Sequence, residues 1–176
     1  MAKSPKRKDY LKDYKQGASG NYEYGGKCYV YSGSNEERKK AYLTLVGLMV
    51  LLTASVISSG LIDAAGMVNT FYVIIPFIGE VSALFALWWC ISKLLMEGEK
   101  IRGYIFENAN NKIPPAALIL IVFALVGLAM SAVFMIFNGF EGKMLKCFLY
   151  LILKVLNAAL AFFVKKFYNN LEWKVF

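Results

Sequence analysis

Two ionisable residues stand inside runs that are otherwise almost free of charge: Glu80, in "PFIGEVSALF", and Lys154, in "YLILKVLNAAL". A lone charge at the centre of a bilayer costs about 2.5–3.5 kcal/mol on insertion scales, and each central Leu, Ile or Phe returns only about 0.3–0.6 kcal/mol. The run that holds Lys154 also carries Lys146 and Asn157, so its insertion alone is close to break-even. Opposite charges at similar depth remove that conflict by pairing. Such a pair can do one of three things. It can fix helix pairing and register, carry a proton, ion or polar substrate, or reach toward a charge on a partner subunit. On a helix, Cys147, Tyr150, Lys154, Asn157 and Ala161 recur at spacings of three and four and share one face. Gly79, Ala83 and Ala86 flank Glu80 and permit close approach of a second helix. These two faces are expected to meet, making Glu80, Lys154, Asn157 and Tyr150 the candidate intramembrane site.

Other chemistry is poorly provided for. Histidine, the commonest general base and metal ligand, is absent. Cys28, Cys90 and Cys147 lie far apart and form no CxxC pair, which leaves neither a disulfide framework nor a zinc site. Quinone-linked disulfide oxidoreductases with four spans depend on paired cysteines that this chain lacks. There is no G-x-S-x-G, H-E-x-x-H or P-loop. The expectation is a protein that is not an enzyme and needs no metal or cofactor.

The elements that must position Glu80 and Lys154 are membrane helices. The chain of 176 residues is 58% hydrophobic and 18% charged, against roughly a quarter charged in ordinary soluble domains. Its apolar residues fall in four blocks, about 41–62, 71–95, 116–137 and 144–164. Each is long enough to cross about 30 Å of hydrocarbon, for which roughly 20 helical residues suffice. The expected fold is an all-α, four-transmembrane-helix bundle. Pro114-Pro115 reads as the start of the third helix, where a missing N–H costs nothing, and Pro76 predicts a kink in the second. The first apolar run is too long, and sits behind too long a polar tail, for a signal peptide.

Lys and Arg set the orientation. Ten lie in residues 1–40, four between Lys93 and Lys112, and three after residue 164, while the connection after Ile62 has none. Positive charge marks the cytoplasmic side, so both termini are expected there. Tyr42, Phe71, Tyr72, Trp88 and Trp89 fall near the ends of the spans, as interfacial aromatics do. Usage of Lys, Ile, Asn and Tyr suits a low-GC bacterium, hence a bacterial cytoplasmic membrane.

Before the first span, "NYEYGGKCYVYSG" reads as a hairpin over residues 21–32, with Gly25-Gly26 as its turn. That register pairs Tyr22 with Tyr29 and places Tyr22, Tyr24, Tyr29 and Tyr31 on one face, a candidate surface for a partner. "GYIF" (103–106) and "EWKVF" (172–176) also look extended and emerge on the same side, so the three segments are expected to form a β-cap beneath the helices. "DYLKDYK" could form a short interfacial helix, and Lys3, Lys6, Arg7 and Lys8 would attract anionic headgroups. No nucleic-acid partner is needed to explain the net charge of +8. "LVGLM" at Leu45 and "LVGLA" at Leu125 could mark a duplicated helical hairpin. Small residues on helix one (Gly47, Ala54, Ser58) and helix three (Gly127, Ser131) suit close helix contacts, within the bundle or with a partner.

The function expected from these residues is a small multi-pass membrane protein that acts as a non-catalytic accessory or assembly subunit, through a protein partner or as a homo-oligomer. The alternative is a small proton- or ion-coupled transporter or channel subunit using Glu80 and Lys154. Small multidrug-resistance exporters are similar in having four spans and a membrane glutamate. They are shorter, however, carry that glutamate in the first helix and lack the balancing lysine.

Overall fold

The computed structural model of the chain describes residues 14–16, 22–64 and 70–176. Four long helices dominate it: α1 (Asn35–Leu61), α2 (Phe71–Met96), α3 (Gly103–Asn138) and α4 (Met144–Asn169). Each is long and apolar enough to cross a membrane. The outward faces carry large apolar side chains throughout, among them Leu43, Phe85, Ile136 and Leu145, all more than 70% exposed. In water that surface would be prohibitive; in hydrocarbon it is solvated, and backbone groups are satisfied within the helices. The chain is a multi-pass membrane protein.

Local sequence explains the helix limits. Ser34 caps α1: its Oγ accepts from the Glu37 N–H at 3.2 Å, and the Glu37 carboxylate accepts from the Ser34 N–H at 2.7 Å. α1 thus begins six residues before its apolar block. α3 departs further from expectation. Its 36 residues extend roughly 54 Å at about 1.5 Å per residue, well beyond the roughly 30 Å of a hydrocarbon core. Pro114 and Pro115 lie inside α3 instead of starting it. The carbonyls deprived of a partner belong to Asn110 and Asn111, both exposed residues, where solvent replaces the lost bonds. "GYIF" is accordingly the first turn of α3, not a strand.

The helices form a ring in the order α2, α3, α4, α1. α3 packs densely against α2 and α4, α4 packs against α1, and the seam between α1 and α2 is the sparsest of the four. In the dense α2–α3 seam the Phe123 ring is seated directly over Gly79. Gly127 and Ser131 are buried, whereas Gly47, Ala54 and Ser58 face outward on α1. The two "LVGL" segments sit differently: Leu45 is fully buried and Leu125 is 51% exposed.

Strands close the end of the bundle where α1 begins and α4 ends. β3 (Cys28–Tyr31) lies between β4 (Ile101–Arg102) and β5 (Trp173–Val175), antiparallel to both. β1 (Tyr14–Gln16) and β2 (Tyr22–Tyr24) pair with each other as a separate antiparallel ribbon. The hairpin expected over residues 21–32 is therefore not formed. Tyr22 opposes Gln16 and Tyr29 opposes Val175 and Ile101. The physical reason is the marginal stability of an isolated hairpin: β3 gains two partners from distant parts of the chain instead of one from its neighbour. A three-stranded cap is present, but of the expected segments only Cys28–Tyr31 and Trp173–Val175 join it; the loop strand is Ile101–Arg102, and "GYIF" is not part of it. Within "DYLKDYK", Tyr14 and Lys15 belong to β1, while residues 9–13, like the basic residues 3–8, lie outside the described part.

Candidate functional site

Glu80 on α2 and Lys154 on α4 meet in the interior of the bundle. Lys154 Nζ donates to Glu80 Oε1 at 2.5 Å, and both side chains are wholly buried. The second oxygen, Oε2, accepts from Asn157 Nδ2 at 2.9 Å. Asn157 Oδ1 in turn accepts from Ser55 Oγ of α1 at 2.5 Å. Three helices are thus joined by one chain of hydrogen bonds. Helical spacing makes it so: Lys154 and Asn157 are three residues apart on α4, and one turn of helix aims both at the same carboxylate.

α3 supplies the wall. A Cβ on Gly127 would lie 3.4 Å from Glu80 Oε1 and 3.6 Å from Lys154 Cε, so this glycine lets the charged pair lie against bare helix backbone. Ser131, one turn on, donates to the Gly127 carbonyl at 2.6 Å, and Tyr150 is buried beside the Lys154 ammonium. The Lys154 ammonium also lies 5.0 Å from the ring centroids of Phe77 and of Tyr150, a cation–π arrangement strengthened by burial. All four expected site residues are brought together. Ser55 was not among them, because a serine in an apolar helix most often bonds its own backbone and only the fold shows its hydroxyl reaching Asn157.

The four tyrosines are split between two sheets, Tyr22 and Tyr24 in β2 and Tyr29 and Tyr31 in β3. Tyr24 Oη donates to the Lys27 carbonyl at 3.3 Å and accepts from the Gly103 N–H at 3.1 Å, tying β2 to the start of α3. Tyr29 stacks on Phe106 with centroids 4.0 Å apart, and Tyr31 meets Trp173 edge-on at 5.9 Å. Tyr22 lies in β2, in the other sheet. Tyr29 and Tyr31 are half-buried parts of an aromatic cluster that attaches the sheet to α3.

Charged contacts missed in the sequence hold this end together. Glu97 and Arg102 pair through both carboxylate oxygens, with Arg102 Nε 2.7 Å from Oε2, and Arg102 Nη1 donates to the Tyr14 hydroxyl at 2.9 Å. These hydrogen bonds hold the Glu97 carboxyl below the usual carboxylate range. Arg38 donates to the Gly98 carbonyl at 3.4 Å and to Glu99 at 3.3 Å. Trp88, expected at an interface, turns inward to donate to Thr53 Oγ1 at 2.8 Å, while Trp89 stays exposed beneath Lys93. At the far end, Asp63 pairs with Lys143 at 2.8 Å and has Lys146 at 4.0 Å.

Among the described residues no group of His, Cys, Asp or Glu is arranged to hold a metal ion. The chain matches no protein-family model, no curated protein and no solved structure.

Proposed function

We propose that the protein is a non-catalytic membrane subunit that acts through contacts with partner proteins, with both termini in the cytoplasm and the Glu80–Lys154 pair as its internal fastening. One observation carries this reading: both oxygens of Glu80 are engaged by α4, and neither charged side chain has any exposed surface. A carboxylate so occupied suits holding helices in register better than exchanging a ligand. On this reading the surface that meets a partner is the end bearing the sheet, where Val175 and Phe176 are 62% and 75% exposed.

A second reading keeps support from the hydrogen-bond chain itself. Ser55, Asn157, Glu80 and Lys154 are linked without a break across α1, α2 and α4, the kind of path along which protons or ions are passed. Reconstitution into proteoliposomes under an imposed pH gradient separates the two. The fastening predicts proton and cation flux no greater than in protein-free vesicles. Flux that disappears in Glu80→Gln, with the variant still folded, replaces it with the transport reading.

A further inference from the structure

Lys154 is fully buried, yet among the described residues one hydrogen-bond acceptor, Glu80 Oε1, faces its three N–H donors. Its other near neighbours are the rings of Phe77 and Tyr150. A buried ammonium with donor capacity left over takes a further acceptor whenever one can reach it. What stands between Lys154 and the outside differs around the ring of helices. The α2–α3 and α3–α4 seams are densely packed, and Tyr150 is buried. Phe77 lies instead in the sparse α1–α2 seam and is only half-buried.

The seat of that ring is a glycine. A Cβ built on Gly60 of α1 would fall 2.5 Å from Phe77 Cζ and 3.2–3.3 Å from the two Cε atoms, so the tip of the ring lies where a side chain of α1 would be. No larger residue at position 60 leaves the ring in place. Elsewhere this seam is joined by polar contacts nearer the sheet, Trp88 to Thr53 and Arg38 to Gly98 and Glu99. Beside Lys154, 5.0 Å from its ammonium, lies the Phe77 ring, resting on Gly60.

We propose that Phe77 and Gly60 form a lateral plug over a latent acceptor site at Lys154, opening between α1 and α2 and admitting water and other small acceptor-bearing molecules when the ring swings out. A phenyl ring moves by side-chain rotation alone, so opening leaves the helices where they are. This inference does not rest on the contact-subunit reading. Its test reads access to one amine, whereas the proteoliposome assay reads flux, and each can fail without the other.

The test is labelling of Lys154 in the full-length, detergent-purified protein by fluorodinitrobenzene, a small membrane-permeant reagent for neutral amines, mapped by peptide mass spectrometry. Wild type is expected to label at Lys143 and Lys146 and to spare Lys154. Gly60→Ala moves the ring without removing it and improves helix propensity, so this variant should fold at least as well as wild type. Its Lys154 labelling should rise by about tenfold, the factor that corresponds to a shift of 1.4 kcal/mol in a closed–open balance. Phe77→Ala should label faster still. Glu80→Gln removes the counter-charge but leaves the plug in place, and at temperatures where the variant is still folded Lys154 should stay protected. Continued protection in Gly60→Ala overturns the plug, whatever Phe77→Ala does. Labelling of Glu80→Gln as fast as Gly60→Ala overturns it too, since charge pairing and not the ring would then be the barrier.

Discussion

Two carboxylate–ammonium pairs in this molecule have nearly the same geometry and opposite surroundings. Glu80 and Lys154 are 2.5 Å apart and wholly buried; Asp63 and Lys143 are 2.8 Å apart with side chains 60% and 36% exposed. The same two chemical groups therefore do different work. At the exposed pair, water and salt screen the attraction, and such pairs contribute little. In the interior neither charge has an alternative to its partner, and the loss of one leaves the other stranded. The cost of a charge is set by where its helix puts it, not by its distance from a counter-charge.

The comparison breaks most sharply at Lys154. Lys154→Met or Glu80→Gln should each destabilise the purified protein by about 3–5 kcal/mol, the usual penalty for stranding a buried charge. The double variant should recover most of that loss in a thermal-unfolding cycle. Equal, additive losses would mean that the charges do not act as a pair.

A middle case sharpens it. The Glu97 side chain is 9% exposed and that of Arg102 38%, and the pair joins α2 to the sheet. Glu97→Gln should cost about 1.5–3 kcal/mol, the range for hydrogen bonds to charged groups. The pH dependence follows from the lowered carboxyl pKa. Its contribution is present above the ordinary glutamate range, near 4.3 in model peptides, and is lost as pH falls through the depressed folded value. Acid titration of thermal stability should show this loss in wild type and not in Glu97→Gln.

Ser55→Ala should cost about 1–2 kcal/mol by leaving the Asn157 carbonyl oxygen unsatisfied inside the bundle. Its double-mutant coupling to Glu80→Gln should exceed its coupling to Asp63→Asn. The smallest effect belongs to the exposed pair, where Asp63→Asn should leave the melting temperature unchanged within error. A marked loss there would contradict the contrast.

What was legible in the sequence follows the range over which each signal acts. The four spans were plain because apolar length is a local property, and the shared face of Tyr150, Lys154 and Asn157 follows from helical spacing alone. The meeting of Glu80 with Lys154 could be inferred because two buried charges of opposite sign have few other solutions. The α3 start at Gly103 was missed because a Pro-Pro pair ordinarily begins a helix, and the solvated carbonyls of Asn110 and Asn111 permit an exception. The hairpin was misread because a Gly-Gly turn reports only local preference, while β3 takes its partners from residues about 70 and 145 positions away.

By itself, then, the sequence determined a multi-pass helical protein with one polar constellation in its interior. Hydrophobic length and the cost of unsatisfied charge in hydrocarbon leave no other arrangement. The tertiary structure alone decided how that constellation is completed and closed. Ser55 joins it from α1, Gly127 clears the space against α3, and the Phe77 ring lies beside it, resting on Gly60. Each of these depends on which helices are neighbours in the ring. Helical periodicity says which way a side chain points, and packing alone says what it meets.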